Sequence, residues 1–321
     1  MIRVRTFSEQ DFCFLCKMNP EMAEEIRGFS EVIPESIVSA EADGTFLGAA
    51  YLTACSSFRH PQCGDGRRFV RGTFRALPGS PLEIEASEAL LHAMQESVRR
   101  LQQEDPAHRI ILQLYRNAES LLSTEFLMDC GFFPQHLMLA MERDLWEDAE
   151  EADDVSRIFL PESGSDEDTA AESGSEFLIT LHTDPGEDDF LRQYEALSAE
   201  AFGGMPDSIA ELKYRMRAGA RVYAAEEDGK LIATVTVMKD SDRCAATENI
   251  FCRASYRRRG ITAAMLRKVL RILREEGYEK ARLTLFSDNL PAWNLYRKLG
   301  YELSENIIEY HYETSPKLRG Y

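Results

Sequence analysis

The chain has no uninterrupted apolar stretch approaching the ~20 residues of a membrane-spanning helix. Its start, Met1-Ile2-Arg3-Val4-Arg5, shows neither the apolar segment nor the small-residue cleavage site of a secretory signal. Both absences lead us to expect a soluble, cytoplasmic protein with no membrane partner. Cysteine is sparse: the seven cysteines among 321 residues are scattered and odd in number, which argues against a disulfide framework. Cys13 and Cys16 stand at zinc-ligand spacing, yet no second close pair follows and none of the six histidines complements them. Inside FCFLCKM the pair reads as the core face of a helix, and no metal is expected. Basic residues are in deficit, 37 against 55 acidic, for a formal net charge of −18. That balance repels a phosphate backbone, so nucleic acid is not an expected partner and a cationic small molecule suits better. Neither a Gly-x-x-x-x-Gly-Lys-Ser/Thr loop nor a Gly-x-Gly-x-x-Gly turn occurs, which removes two common nucleotide-binding architectures.

What is present is a chain long enough for two cores. Much of the negative charge is local: residues 147–176 hold twelve Asp or Glu against the single base Arg157 and are rich in Ser and Gly. Such a segment buries itself poorly and reads as a linker in which only Ile158-Phe159-Leu160 has apolar character. The expected division is therefore 1–146, linker 147–176 and 177–321. The flanking halves look duplicated. IVSAEADGTFLGAAYL (37–52) and VYAAEEDGKLIATVTV (222–237) are both strand, Asp-Gly turn, strand, 185 positions apart. Cys130-Gly131-Phe132 and Leu299-Gly300-Tyr301 lie 169 apart, which places about sixteen extra residues in the first copy, with 56–68 the expected location.

The second copy carries the chemistry. ENIFCRASYRRRG (248–260) followed by ITAAMLRKVL is an apolar strand with one carboxylate, a basic turn and an amphipathic helix. A strand entering a helix through a Gly-containing turn offers unpaired N–H groups and a positive dipole end to an anion. Downstream, ARLTLF (281–286) alternates as a strand, Ser287-Asp288-Asn289 forms a turn and cap, Pro291 suits a first helical turn, and Gly300 ends the helix. Strict alternation through Thr247–Cys252 puts Glu248, Ile250 and Cys252 on one face and Thr247, Asn249 and Phe251 on the other.

Arg257-Arg258-Arg259-Gly260-Ile261-Thr262 resembles the Arg/Gln-x-x-Gly-x-Gly/Ala pyrophosphate loop of the GCN5-related N-acetyltransferase superfamily, and Asn289 through Tyr296 to Leu299-Gly300-Tyr301 resembles its second signature. The resemblance implies an α/β fold of the α+β type, in two tandem domains, each a mixed, mostly antiparallel sheet flanked by helices. It also implies acetyl-CoA as cosubstrate, held along Ile250, Phe251 and Cys252 and at the Arg257–Thr262 turn. Thr262 departs from the Gly or Ala of the pattern: either the helix stands further from the phosphates or the hydroxyl donates to one. Glu248 is the implied general base and Tyr296 the proton donor to the departing thiolate, a role a phenol of pKa ~10 can fill. Asn289 caps its helix or bonds the pantetheine arm.

Transfer is expected to be direct to a primary amine of a small molecule, with the Cys252 N–H, not its thiol, engaged. Phe202 and Met205 are expected to line the acceptor cleft, and Glu200, Asp207 and Glu211 either hold a cation there or serve as cap and surface residues. The first copy has LPGSPLEIEAS after its strand instead of a basic turn, and Glu83, Glu85 and Glu88 would repel pyrophosphate; Leu127 stands in place of Tyr296. It resembles a degenerate domain, as in the tandem branch of the superfamily that includes mycothiol synthase. The rival expectation is an acyl-CoA-binding sensor or scaffold without turnover. Monomer and homodimer both stay open.

Overall fold

The computed structural model describes residues 1–54, 67–120, 122–146, 157–161, 174–202 and 209–314. In chain order these form β1 (Arg3–Thr6), α1 (Glu9–Met18), α2 (Pro20–Gly28), β2 (Val38–Ala42), β3 (Thr45–Thr53), β4 (Arg67–Ala76), α3 (Glu83–Glu104), β5 (Arg109–Asn117), α4 (Thr124–Asp129) and β6 (Phe133–Asp144). Then follow β7 (Arg157–Pro161), β8 (Gly174–His182), α5 (Asp188–Ala201), α6 (Ile209–Arg217), β9 (Arg221–Glu227), β10 (Lys230–Lys239), β11 (Cys244–Cys252), α7 (Ile261–Glu275), β12 (Lys280–Phe286), α8 (Leu290–Lys298) and β13 (Glu302–Glu313). Among the described residues no helix is long and apolar enough to cross a membrane.

Two compact units emerge, Met1–Leu137 with Asn306–Tyr321, and Met138–Glu305. They differ from the sequence expectation of 1–146 and 177–321, because each copy's closing strand finds its hydrogen-bonding edge outside its own half. β13 pairs antiparallel with β5, from Ile307 opposite Asn117 to Glu313 opposite Ile111. β6 pairs antiparallel with β12, from Asp144 opposite Lys280 to Met138 opposite Phe286. Within the acidic segment 147–176, residues 157–161 form β7 against β8; residues 147–156 and 162–173 lie outside the described residues.

The first unit's sheet runs β1-β2-β3-β4-β5-β13, and the second's runs β6-β12-β11-β10-β9-β8-β7. Among the described residues each has one parallel pair, β4 with β5 and β11 with β12. The duplication holds in detail. Both Asp-Gly turns are left-handed at both positions, φ 49° and 76° at Asp43 and Gly44, 50° and 73° at Asp228 and Gly229, as a tight two-residue hairpin requires. Both hairpins then carry a bulge at the same place: Leu47 and Ile232 are extra residues in their ladders. The Leu47 carbonyl accepts from Leu77 N at 2.7 Å, the Ile232 carbonyl from Arg253 N at 2.8 Å. At the far end, Phe132 N bonds Leu127 O as Tyr301 N bonds Tyr296 O, around the left-handed Gly131 and Gly300. The proposed insertion falls largely on residues 55–66, outside the described residues.

One face of the first sheet packs Leu52, Val70, Leu112 and Leu114 under Leu90, Leu91 and Met94 of α3. In the second unit α7 covers one face through Met265, Leu266, Val269 and Leu273, while Phe190, Leu191, Tyr194, Leu212 and Met216 of α5 and α6 cover the other. Cys13 and Cys16 are not core residues: both are exposed. Helix α1 turns Phe12 and Leu15 inward, and its 3.6-residue period rotates both cysteines away from them.

The first unit also half-buries a charge. Arg116 of β5 lies 3.8 Å from the centroid of the Phe74 ring and reaches Phe74 O at only 3.5 Å. Among the described residues no carboxylate meets it, and burial together with the neighbouring Arg75 pushes its pKa down to about 10. A cation whose folded pKa is depressed penalises the fold wherever it stays charged, that is below about pH 10, and the penalty fades as pH rises from there towards the ordinary arginine value. A depression of this size corresponds to roughly 3 kcal/mol, offset by about 1 kcal/mol of cation–π attraction. Arg116→Met is therefore expected to raise stability in urea unfolding by about 1–3 kcal/mol at neutral pH, with a gain that shrinks above about pH 10.

Candidate active site

β11 and β12 share only three ladder positions, Cys244 with Lys280, Ala245 with Ala281 and Ala246 with Arg282. There they part. β12 continues against β6, while β11 continues to Cys252 with β10 as its only strand neighbour among the described residues. Its other edge, over 248–252, thus offers backbone N–H and C=O groups that no strand takes up among the described residues. Opposite β10 the register slips: Thr236 faces Glu248 but Thr234 faces Phe251, so Asn249 and Ile250 together stand across from Val235. Asn249 takes φ 46°, a left-handed conformation asparagine tolerates better than most residues.

This bulge corrects the alternation expected from sequence. Glu248 does not share a face with Ile250 and Cys252. It lies with Phe251 on the α5–α6 face, where Arg215 of α6 meets it. Thr247, Ile250 and Cys252 lie on the α7 face: Thr247 Oγ1 is 3.2 Å from Tyr301 Oη, and Ile250 and Cys252 pack in that core.

On the α5–α6 face, Arg215 Nη1 donates to Glu248 Oε2 at 2.6 Å. Asn249 Nδ2 donates to Tyr194 Oη at 2.8 Å, and Thr234 Oγ1 to Asn249 O at 2.9 Å, fixing the bulge. Phe202 stands edge-on to Phe251, centroids 5.7 Å apart, so it does border this face. Met205 and Asp207 lie outside the described residues, as does the side chain of Glu211. Glu200 is not a cation holder: its Oε1 accepts from Ala254 N at 2.5 Å and its Oε2 from Arg253 Nη1 at 3.3 Å, clamping the start of the basic turn.

That turn leads into α7. Arg258 and Gly260 are both left-handed, φ 65° and 82°, and Gly260 is an N-cap with no side-chain capping bond. The first-turn N–H groups of α7 thus have no acceptor from the helix itself and carry its positive dipole end. Arg257 Nε donates to Cys252 O at 3.1 Å, tying strand to turn, and Arg259 lies over Tyr256, 5.0 Å from the ring centroid. Ile261 is buried in the core below. The Cys252 thiol donates to Arg253 O at 3.6 Å, and burial pushes its pKa up, which suits packing, not nucleophilic attack. In the first unit the corresponding seat is taken by the chain itself: Glu83 Oε2 accepts Gly79 N–H at 2.7 Å.

Tyr296 of α8 is buried in the same core cluster as Cys252 and Ile261. Burial, with a smaller contribution from Tyr301, raises its pKa above the ordinary phenol value, so the hydroxyl keeps its proton through the neutral range. Asn289 serves as the cap of α8, its Oδ1 accepting Ala292 N–H at 3.3 Å. Strand edge, turn and helix N-terminus together fit an extended amide-bearing chain that ends in a polyphosphate. Sequence reasoning missed Arg215, because nothing in its local pattern marks a partner 33 residues away, and it missed the bulge, whose one signal was an asparagine inside a strand.

Residues 187–301 match the family described as Acetyltransferase (GNAT) family. No curated protein matches the chain. Among solved structures, the chain is similar to a tandem GNAT protein from the clavulanic acid biosynthesis pathway, with 16% identity, a TM-score of 0.65, and 99% of this chain and 100% of that one covered. A GCN5-related N-acetyltransferase from Sphaerobacter thermophilus is similar at 18% identity and a TM-score of 0.62, over 98% of this chain and 96% of that one. A GCN5-related glucosamine N-acetyltransferase region of a fungal multi-domain GH3 beta-N-acetylglucosaminidase is similar at 12% identity and a TM-score of 0.61, over 97% of this chain and 38% of that one. Residues 187–301, within the second unit, thus match the acetyltransferase (GNAT) family, on a fold shared along the chain with a tandem GNAT protein.

Proposed function

We propose that the second unit transfers an acetyl group from acetyl-CoA directly to the primary amine of a small molecule, and that the first unit has no cofactor chemistry of its own. The observation that carries this reading is the parting of β11 from β12 just ahead of an α7 N-terminus that no side chain caps. Acetyl-CoA would supply the activated acetyl group. The open edge at Ile250, Phe251 and Cys252 would hold its amide-bearing arm, with the Cys252 N–H directed to the thioester oxygen. The turn from Arg257 to Thr262 would hold its pyrophosphate. Glu248, on the opposite face, would take the proton that makes the acceptor amine nucleophilic. Tyr296 would return a proton to the departing sulfur, its raised pKa ensuring that the proton is there to give.

Calorimetric titration of acetyl-CoA is expected to show one site per chain. Gly260→Glu, which puts a negative charge into the seat, is expected to abolish it, while Gly260→Asn, which accepts a left-handed φ without charge, keeps it. Two sites in the wild-type protein would overturn the reading of the first unit. Tyr296→Phe is expected to lower kcat by roughly ten- to a thousandfold with acetyl-CoA affinity nearly unchanged, as loss of a general acid predicts. Unchanged turnover would remove Tyr296 from the mechanism, and no turnover with any amine would favour a binding protein.

A further inference from the structure

The extra residue of β11 is held at Asn249, and one of the groups that hold it there is a buried tyrosine. Upstream, Thr236 faces Glu248; downstream, Thr234 faces Phe251 and Ala233 faces Cys252. With both flanks fixed in register, two residues have to share the place opposite Val235. Ile250 is β-branched and resists a left-handed backbone, whereas Asn249 takes it, at φ 46°. Asparagine tolerates that conformation without preferring it. Two hydrogen bonds supply the rest: Asn249 Nδ2 donates to Tyr194 Oη at 2.8 Å, and the Asn249 carbonyl accepts from Thr234 Oγ1 at 2.9 Å.

Tyr194 is a firm anchor. It belongs to α5, is 1% exposed, stands edge-on to Phe251 with ring centroids 5.2 Å apart, and is tilted against Phe190 at 6.0 Å. A ring packed in this way carries its hydroxyl to one position. The residue just before the bulge is Glu248. A distortion moved back by one position would give Glu248 the strained backbone and re-aim its carboxylate, because a bulge sets the direction of the side chains beside it. The far end of the open edge is held separately, by Arg253 N donating to Ile232 O at 2.8 Å and Arg257 Nε to Cys252 O at 3.1 Å.

We propose that Tyr194 is a positioning residue for the transfer: through Asn249 it fixes the bulge, and the bulge fixes the face on which Glu248 meets the acceptor. The inference rests on the reading of Glu248 as the base. The test is a double-mutant cycle on the full chain, Tyr194→Phe and Asn249→Gly singly and together. Glycine enters the left-handed region without a tether, so in its background the tyrosine hydroxyl has nothing left to hold. Two quantities are measured, the kinetics of acetyl transfer and hydrogen exchange of the segment 247–252. Tyr194→Phe alone is expected to lower kcat roughly three- to thirtyfold with KM for acetyl-CoA nearly unchanged, and to speed exchange of the segment by a similar factor. In the Asn249→Gly background the same substitution is expected to change either quantity by less than about twofold. Exchange in α7 and β9 at wild-type rates shows that the variants fold.

A wild-type kcat in Tyr194→Phe overturns the inference, and so does a loss confined to KM for acetyl-CoA. An equal loss in both backgrounds also overturns it, since the hydroxyl then acts through another neighbour. All three leave the acetyltransferase reading intact. A coupled change in exchange, with no turnover of any amine by the wild-type protein, supports Tyr194 as the anchor of the bulge and sinks the catalytic reading. Exchange that is not coupled overturns the inference with or without turnover.

Discussion

A parallel ladder of three positions is the constraint on which the second unit depends. β11 and β12 are joined at Cys244–Ala246 and Lys280–Arg282, and beyond that each strand satisfies its backbone elsewhere, β12 on β6 and β11 on β10. Strands that part inside a sheet leave one edge of the backbone unpaired, and a backbone group without a partner is costly unless water or a ligand reaches it. The gap therefore needs a rim of polar groups, and it has one. The bulge at Asn249 turns Glu248 towards α5 and α6 while Cys252 stays on the α7 side. Glu248 and the buried phenol of Tyr296 thus belong to opposite faces of the sheet.

The two units place opposite charges on one scaffold. Both retain the left-handed Asp-Gly turn, the bulge after it and the left-handed Gly that ends the closing helix. The differences fall where charge matters. At the entrance to α7 the chain supplies Gly260 and arginines; at the entrance to α3 it supplies Glu83, whose carboxylate takes up the Gly79 N–H. Beyond the last β4–β5 pair, at Arg71 and Gln113, β5 places Arg116 over Phe74. The architecture is common to both because it rests on hydrophobic packing and turn geometry, which tolerate such exchanges of charge.

Electrostatics also organises the α5–α6 side. Glu248 with Arg215 and Glu200 with Arg253 are two acid–guanidinium pairs in the second unit that tie helix residues to β11 and the turn after it. The second pair is structural, since Glu200 also holds the Ala254 N–H. The first joins the one carboxylate at the bulge to a helix whose neighbouring residues are locked in the core. A chain with a formal net charge of −18 thus places guanidinium groups at both ends of the proposed reaction path.

The sequence by itself determined what depends on a few neighbouring residues. The Asp-Gly hairpins, the basic Gly turn before an amphipathic helix, the Asn289 cap and the Gly300 stop were all legible, because turn and cap chemistry acts within one helical turn. So was the contrast in charge between the copies, three glutamates after β4 in the first against the arginines before α7 in the second. The tertiary structure decided everything that needed a partner far along the chain. The halves closed with exchanged strands, β13 on β5 and β6 on β12, because a strand pairs with whichever edge is unpaired, and periodicity does not say which. One extra residue in β11 moved Glu248 to the other face, since side chains alternate with period two and a single insertion inverts all that precede it. Cys13 and Cys16 came out exposed because an apolar run fixes a helix but not its rotation against the core. Arg215 reached Glu248 for the same reason: an ion pair is a property of positions in space, and no local pattern encodes it.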